Sequence, residues 1–409
     1  MNKIGSFVFI LLLSCSFAVF AGGKDTVIVL KESLFHDKTD VDLTVGAGRM
    51  DLYLSSLKDK SVAIVGNQTS VVGKSHLVDT LLRLGVHVKT VFAPEHGFRG
   101  TADAGEHVDN GKDQKTGLPL ISLYGEHLKP SKEDLSGVDV VIFDIQDVGA
   151  RFYTYISTLH YVMEACAENG KQLIVLDRPN PNGFYVDGPI LESAFSSFVG
   201  LDPLPIVHGL TVGEYAGMVN GEHWLKGGLQ CKLQVVPVKN YSHKDLYQLP
   251  VKPSPNLPNM TSVYLYPTLC LFEGTVVSVG RGTEHPFQVI GFPGVKSSTY
   301  EFTPKSMPGA TAPMYAGQLC KGFDIGRFGE MYIKNARSLY LFWLKGMYAQ
   351  APDKAKFFTD FFTKLAGTES LKAQLIAGAS EERISKSWKA GLDQYKLMRK
   401  KYLLYEDFE

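Results

Sequence analysis

No excess of charge marks this chain: 42 Lys and Arg balance 42 Asp and Glu across 409 residues. Without a basic surplus or a local basic patch there is no electrostatic footprint for a polyanion, which argues against a nucleic-acid partner. Cysteine is scarce as well. Beyond Cys15, the cysteines Cys166, Cys231, Cys270 and Cys320 are widely scattered and lack the paired spacing of a metal site, so they read as buried free thiols or as one disulfide. Beyond the first 23 residues there is no long apolar run, and neither an internal repeat nor a low-complexity segment is present. Also missing is a Gly-x-Gly-x-x-Gly turn after the first strand-like run. Without those glycines the backbone cannot approach a pyrophosphate, so no nicotinamide cofactor is expected.

What is present begins with an export signal. Residues 1–23 carry one early cation, Lys3, an apolar run from Ile4 through Val19, and a small-residue exit at Ala21, Gly22 and Gly23. That pattern reads as a signal peptide over 1–21, followed by an extension over 22–55. The run is short for a bilayer span and lacks a basic flank after it, which disfavours a membrane anchor. Cys15 follows Leu12, Leu13 and Ser14, so lipidation there competes with cleavage after Ala21. Either route places the protein outside the inner membrane, in the periplasm, as a soluble protein or as an anchored lipoprotein.

After the extension the chain alternates apolar strand-like runs with amphipathic segments, which predicts an α/β fold with a parallel sheet. Strands are expected over 61–66, 86–93, 139–145 and 172–177. Leu77, Leu81, Leu82 and Leu84 form a helical stripe between the first two, and Tyr161, Val162, Ala165 and Cys166 form another before the fourth. The arrangement is Rossmann-like, and such sheets bind ligands beyond the carboxyl ends of their strands. The proline-rich run 249–258 cannot continue a helix or a central strand, and it separates a domain over 56–252 from a smaller α/β domain over 253–409. Strands near 275–279 and 288–290 and helices from about Arg337 are expected there. In the last helix Ile384, Trp388, Leu392, Tyr395 and Met398 recur at core spacing, and the neighbouring lysines make a solvated face.

Four strand ends carry the polar chemistry. The first, Gly66-Asn67-Gln68-Thr69-Ser70, offers amides suited to sugar hydroxyls or an acetamide, although each could equally satisfy turn backbone. The second, Ala93-Pro94-Glu95-His96-Gly97-Phe98-Arg99-Gly100, sets a carboxyl, an imidazole and a guanidinium in one loop. Apolar surroundings would raise the Glu95 pKa and keep a proton ready for a leaving group, so Glu95 ranks first as general acid over a plain surface glutamate. The third end contains Asp144, Asp147, Arg151, Tyr153 and Tyr155. If buried, the two carboxylates need a charge partner, and Arg151 is placed to supply one. The tyrosines suit a sugar ring or the core. At the fourth, Arg178 and Asn180 follow Asp177 and point toward the same crevice, unless Asp177 and Arg178 form a structural pair. Beyond the prolines, Glu273, Arg281 and Glu284 sit among glycines, placed to close the site from across a cleft.

Glu-His occurs at 95–96, 106–107, 126–127, 222–223 and 284–285. Adjacent side chains diverge on a strand or helix, whereas chelation favours residues one helical turn apart, so these histidines read as structural or substrate contacts.

Taken together, Gly66–Ser70, Ala93–Gly100, Phe143–Tyr155, Asp177–Pro181, Pro253-Ser254-Pro255-Asn256 and Gly280–Thr283 resemble the exo-acting β-N-acetylmuramidase family of peptidoglycan hexosaminidases, over roughly residues 43 to 409. The resemblance implies a Rossmann-like domain joined to a smaller α/β domain, with the site in the cleft between them. It implies removal of terminal N-acetylmuramic acid from the non-reducing end of peptidoglycan fragments, without a cofactor or metal. Glu95 carries over as catalytic, and Gln288 stands where many relatives carry an acid. The substrate contacts expected from the residues themselves are Asn67, Gln68, His96, Arg99, Arg151, Tyr153, Arg178, Asn180, Asn256 and Arg281.

Glycoside cleavage needs an acid for the leaving oxygen and a second group at the oxocarbenium-like centre, for which Asp144, Asp147, Glu273 and Glu284 are the candidates. Retention, inversion and attack by the substrate's own acetamide all remain open. N-Acetylmuramic acid also bears a lactyl carboxylate, which one of Arg99, Arg151, Arg178 and Arg281 is expected to grip with two parallel hydrogen bonds. Two rival classes stand beside this reading. One is a periplasmic binding protein for sugars or muropeptides, which has little use for several carboxylates in one cleft. The other is a metal-dependent hydrolase built on the Glu-His pairs.

Overall fold

Six apolar runs lie side by side in one parallel sheet. They are β1 (Ser61–Gly66), β2 (His87–Ala93), β3 (Pro119–Ser122), β4 (Val140–Asp144), β5 (Gln172–Leu176) and β6 (Lys232–Val236), in spatial order β6-β5-β4-β1-β2-β3. A two-residue strand, Gly111–Lys112, caps the β3 edge antiparallel. The computed structural model describes residues 36–38, 43–95, 97–99 and 110–409. Residues 33–409 form one compact unit. The segment read as an export signal lies outside the described residues, and no described helix is long and apolar enough to cross a membrane.

Both faces of the sheet are buried, so its central strands read as unbroken apolar runs. Alternate residues serve opposite faces: Ala63, Val65, Val141 and Phe143 join one core, and Val62, Ile64, Val140 and Ile142 the other. Helices α2 (Tyr155–Glu168) and α3 (Val212–Gly221) cover the first face. The second is covered by α1 (Leu77–Arg83) and by Leu43, Val45, Ala47, Tyr53 and Leu57. Part of the stretch read as an extension is therefore core. Gly46 shows why: its N–H bonds to Asp177 O at 2.8 Å, and a Cβ there would meet Val236 O at 2.3 Å.

The order of the strands sets the position of the site. The chain builds β1, β2 and β3 outward in one direction, then returns to the other side of β1 for β4, β5 and β6. This reversal leaves a crevice between the carboxyl ends of β1 and β4, where Gly66 pairs with Asp144. The four expected strands appear within one residue of their bounds. The short β3 and the half-exposed edge strand β6 lay outside the sequence reading.

The second half contains α4 (Met260–Leu269), a small antiparallel sheet of β7 (Val289–Phe292), β8 (Tyr300–Phe302) and β9 (Cys320–Asp324), and then α5 (Gly326–Ala336), α6 (Phe342–Gln350), α7 (Phe361–Ala366), α8 (Glu369–Ile376) and α9 (Glu381–Arg399). Residues 275–279, read as a strand, make only isolated bridges from Thr275 to Phe358 and from Ser278 to Gly291. Helix α9 packs as its stripe predicts, and the chain then turns back onto the first sheet. Trp388 donates to Asp187, Tyr395 to His208 O, and Tyr405 to Asp177.

Arg151 has a different role from either one read for it. Its side chain is fully buried and touches neither Asp144 nor Asp147. Its Nη1 donates to Pro189 O and Leu204 O, and its Nη2 to Leu365 O and Ala366 O, all at 2.7–2.9 Å. The last two are terminal carbonyls of α7, where a cation suits the helix dipole. Arg151 is thus a structural clasp between chain halves and cannot reach a sugar. Arg151→Met leaves four buried carbonyls short of a donor and should lower unfolding free energy by about 3 kcal/mol or more in denaturant titration. A change within about 0.5 kcal/mol, the scatter of surface substitutions, would contradict this role.

Candidate active site

Hydrogen bonds stitch the loops after β1 and β4 together. Asn67 Oδ1 accepts from Thr69 N at 2.9 Å and from Thr69 Oγ1 at 2.6 Å, and the same Thr69 hydroxyl accepts from Gln146 N at 3.0 Å. Ser70 Oγ accepts from Asn67 N and donates to Asp144 O. Gly149, at φ +79°, completes the second loop where a Cβ would stand 2.2 Å from Asn180 Oδ1. Its N–H donates to Asp147 Oδ2 at 2.6 Å.

The two aspartates separate by environment. Asp144 is fully buried and receives Arg178 Nε at 2.6 Å and Nη2 at 3.0 Å, while Nη2 also reaches Val71 O at 3.0 Å. Both carboxylate oxygens and the guanidinium fork are engaged, so Asp144 and Arg178 are a structural pair. This corrects their reading as catalytic and sugar-contacting residues. Asp147 keeps one oxygen unengaged: Oδ2 takes the Gly149 N–H and faces His208 Nε2 at 3.8 Å, while Oδ1 is buried without a partner.

Glu95 follows β2 and is half-buried. Its Oε2 accepts from Thr154 Oγ1 at 2.8 Å, at the N-terminus of α2, and its charge, after burial, raises the Tyr124 phenol. Tyr155 is the common neighbour. Burial first, and then the nearby Glu95 and Asp147 charges, push its phenol well above its ordinary range. Glu95 is bonded to Thr154, the residue before Tyr155, and Gln68, next to Asn67, shares the Pro253 carbonyl with the Tyr155 hydroxyl.

A strap and a column of rings roof this cluster. The Pro253 carbonyl accepts from Tyr153 at 2.8 Å, from Tyr155 at 3.4 Å and from Gln68 Nε2 at 3.2 Å. Ring centroids run from Tyr155 to Tyr153 (4.9 Å), Tyr266 (5.6 Å) and Phe287 (5.0 Å), with Arg281 over Phe287 at 5.1 Å. Arg281 Nε bonds Glu273 Oε1 at 2.6 Å, and its Nη1 has no partner. Tyr153 and Gln68 are thus anchored to the strap rather than open to a sugar.

Three further residues depart from the sequence reading. Asn180 gives Nδ2 to Leu210 O and takes the Asn182 N–H on Oδ1, so it shapes the turn. Buried Asn256 donates to Gly309 O and is likewise structural. Glu284 is exposed and carries no contact to the cluster among the described residues. Arg99 is a third exposed and grips Asp113 at 2.8 and 3.2 Å. Burial would raise the Asp113 carboxyl, but the Arg99 and Thr116 hydrogen bonds outweigh it and hold it low. His96 lies outside the described residues. Thr154, Tyr124 and His208 went unread, because only the fold brings their distant positions here. Gathered groups of three His, Cys, Asp or Glu are absent among the described residues. A concavity of about 630 Å³, lined by Met50, Leu54, Leu84 and His87, opens at the amino ends of β1 and β2, away from these groups.

Two family models match the chain: exo-beta-N-acetylmuramidase NamZ, N-terminal, over residues 62–261, and its C-terminal counterpart over 264–405. The peptidoglycan beta-N-acetylmuramidase NamZ of Bacillus subtilis (strain 168) is 41% identical over 382 residues, covering 86% of this chain and 89% of that protein. Two crystal structures of DUF1343 family proteins from Bacteroides fragilis NCTC 9343 are similar. One has a TM-score of 0.83 at 45% identity, covering 90% of this chain and 99% of its own. The other has 0.77 at 29% identity, covering 90% and 100%.

The contrast between carboxylates is testable. Asp144→Asn breaks a buried ion pair and should cost about 3–5 kcal/mol in denaturant titration. Glu284→Gln, on the exposed loop, should leave turnover within about a factor of two. Loss of turnover in a fully stable Glu284→Gln variant would bring that residue back into the site.

Proposed function

As the chain belongs to the exo-beta-N-acetylmuramidase NamZ family, we propose that it is a glycoside hydrolase releasing N-acetylmuramic acid from the non-reducing ends of peptidoglycan fragments. The observation that carries this reading is Glu95 bonded to Thr154 at the start of α2, with Asp147 on the loop that leads into that helix and its Oδ1 buried without a partner, at the crevice where the strand order reverses. Two acids at one apolar cluster suit the cleavage of an acetal, which needs a proton on the departing oxygen and negative charge near the anomeric carbon. A ligand trap needs neither.

Glu95 is the general acid in this proposal. The Thr154 hydroxyl orients its carboxyl, and its half-exposed position lets a leaving sugar reach it. Arg281 is the arginine for the lactyl carboxylate. Arg151 and Arg178 are committed to structure and Arg99 to Asp113, whereas Arg281 keeps Nη1 without an acceptor. The N-terminal segment, with its cation, apolar run and small-residue exit, supports export to the periplasm, where wall fragments are met and their sugars recovered for reuse. The substrate is a peptidoglycan-derived saccharide.

A chromogenic N-acetylmuramic acid glycoside should be cleaved and its N-acetylglucosamine counterpart should not. Glu95→Gln should lower turnover by about a hundredfold or more. A near-normal rate would remove Glu95 from the acid role. Arg281→Met should erode the preference for the muramyl over the glucosaminyl glycoside by about tenfold or more, as expected for a charge-assisted hydrogen bond. Unchanged discrimination in that variant would assign the lactyl contact elsewhere.

A further inference from the structure

Two buried side chains at the switch point hold opposite hydrogen-bonding capacity in reserve. The orientation of the Asn67 amide is unambiguous, because its Oδ1 accepts a backbone N–H from Thr69. Its Nδ2 is therefore the donor, and it is buried without an acceptor. The Tyr155 hydroxyl donates to Pro253 O at 3.4 Å, and Asn67 Nδ2 makes no hydrogen bond to it. On the neighbouring loop, Asp147 Oδ1 is an acceptor buried without a donor.

The two are tied to one another. Thr69 Oγ1 bonds Asn67 Oδ1 on one side and the N–H of Gln146, the residue before Asp147, on the other. The loop that carries Asp147 is pinned: Gln146 Nε2 holds Asp147 O at 2.8 Å, Asn182 Nδ2 holds Val148 O at 2.8 Å, and Gly149 N holds Asp147 Oδ2. Behind the carboxylate, His208 Nδ1 accepts from Leu210 N at 3.2 Å, which puts the imidazole proton on Nε2, facing Asp147 Oδ2 at 3.8 Å. A donor and an acceptor fixed on adjacent loops beside an aromatic ring match a secondary amide with a small apolar cap. The donor meets its carbonyl, the acceptor its N–H, and the ring its methyl.

We propose that Asn67 and Asp147 clamp the 2-acetamido group of the sugar and that this group is the nucleophile, with His208 positioning Asp147. This rests on the glycosidase reading above. As Glu95 gives its proton to the leaving oxygen and the bond from C1 to that oxygen breaks, the acetamide oxygen bonds to C1. The resulting oxazolinium keeps its N–H against Asp147 Oδ1, so the buried carboxylate meets positive charge only as the reaction proceeds. Water then attacks C1, gives a proton to Glu95 and reopens the ring. One water is consumed and the anomeric configuration is kept.

The test uses the full-length protein with chromogenic muramides whose N-acyl group carries zero, one, two or three fluorines, together with NMR of the product anomer. Each fluorine weakens the amide oxygen as a nucleophile, so kcat should fall stepwise and the product should emerge with retained configuration. Asp147→Asn should lower kcat on the order of a hundredfold with little change in KM. His208→Asn should lower kcat less, again without moving KM. Inversion, or a kcat indifferent to fluorine, overturns the clamp while leaving the glycosidase assignment intact. Both wild-type measurements decide the matter even if a variant fails to fold. No cleavage of any muramide would overturn both proposals.

Discussion

A carboxylate and a guanidinium shut away from water together hold the carboxyl edge of this sheet in shape. Burying either ion alone would cost several kcal/mol, and a fork-to-fork geometry that engages both carboxylate oxygens offsets that. Asp144 and Arg178 meet the condition: both oxygens are taken, and the spare N–H of Arg178 goes to Val71 O. The pair joins the ends of β4 and β5 to the turn after β1, the three segments that bound the crevice. Every candidate catalytic group on β1 and β4 is placed relative to it, because Ser70 and Thr69 carry its fixed backbone onward to Asn67 and Gln146.

The second half of the chain is held to the first by the same logic on a larger scale. Arg151 projects from the loop before α2 and closes on carbonyls from residues 189, 204, 365 and 366. Arg399, also fully buried, donates to Gly209 O and pairs with Asp407. Pro253 then receives three donors from loops of the first half. The proline run read as the domain boundary also straps the loops of the first half, through the Pro253 carbonyl.

What was legible in the sequence follows from what is local. Strands buried on both faces announce themselves as apolar runs, and their polar ends announce the crevice, which is why Glu95, Asn67 and Asp147 could be picked out. Partnerships across the fold are not local. Arg151 lies nearer in sequence to Asp144 than Arg178 does, yet β5 runs beside β4 and delivers Arg178 to the carboxylate. His208 follows no strand end with a recognisable pattern; it reaches Asp147 through bridges that Val207 makes with Ala150 and Asp187. Thr154 and Tyr124 reach Glu95 from two different loops. The edge strand β6 hides because only its last residue is fully buried.

Unsatisfied polar atoms are costly in a protein interior, about 1–3 kcal/mol each, so their distribution carries information. Asp144, Arg178, Asn180 and Asn256 are engaged by well-formed partners, as are both terminal nitrogens of Arg151, and their chemistry is directed inward, at holding the fold. Asn67 Nδ2, Gln146 Oε1, Asp147 Oδ1 and His208 Nε2 lack partners, and all four belong to the loops around the switch point or to the residue facing them. A sequence selected for stability alone would have filled or removed these groups, since apolar replacements of similar shape can be neutral or better. Other buried atoms, such as Thr80 Oγ1 and Trp343 Nε1, also lack partners, and these four are set apart by their place on pinned loops at the strand-order reversal, where a polar visitor could meet them. The rigid pair beside them explains how that cost can be carried without loss of shape.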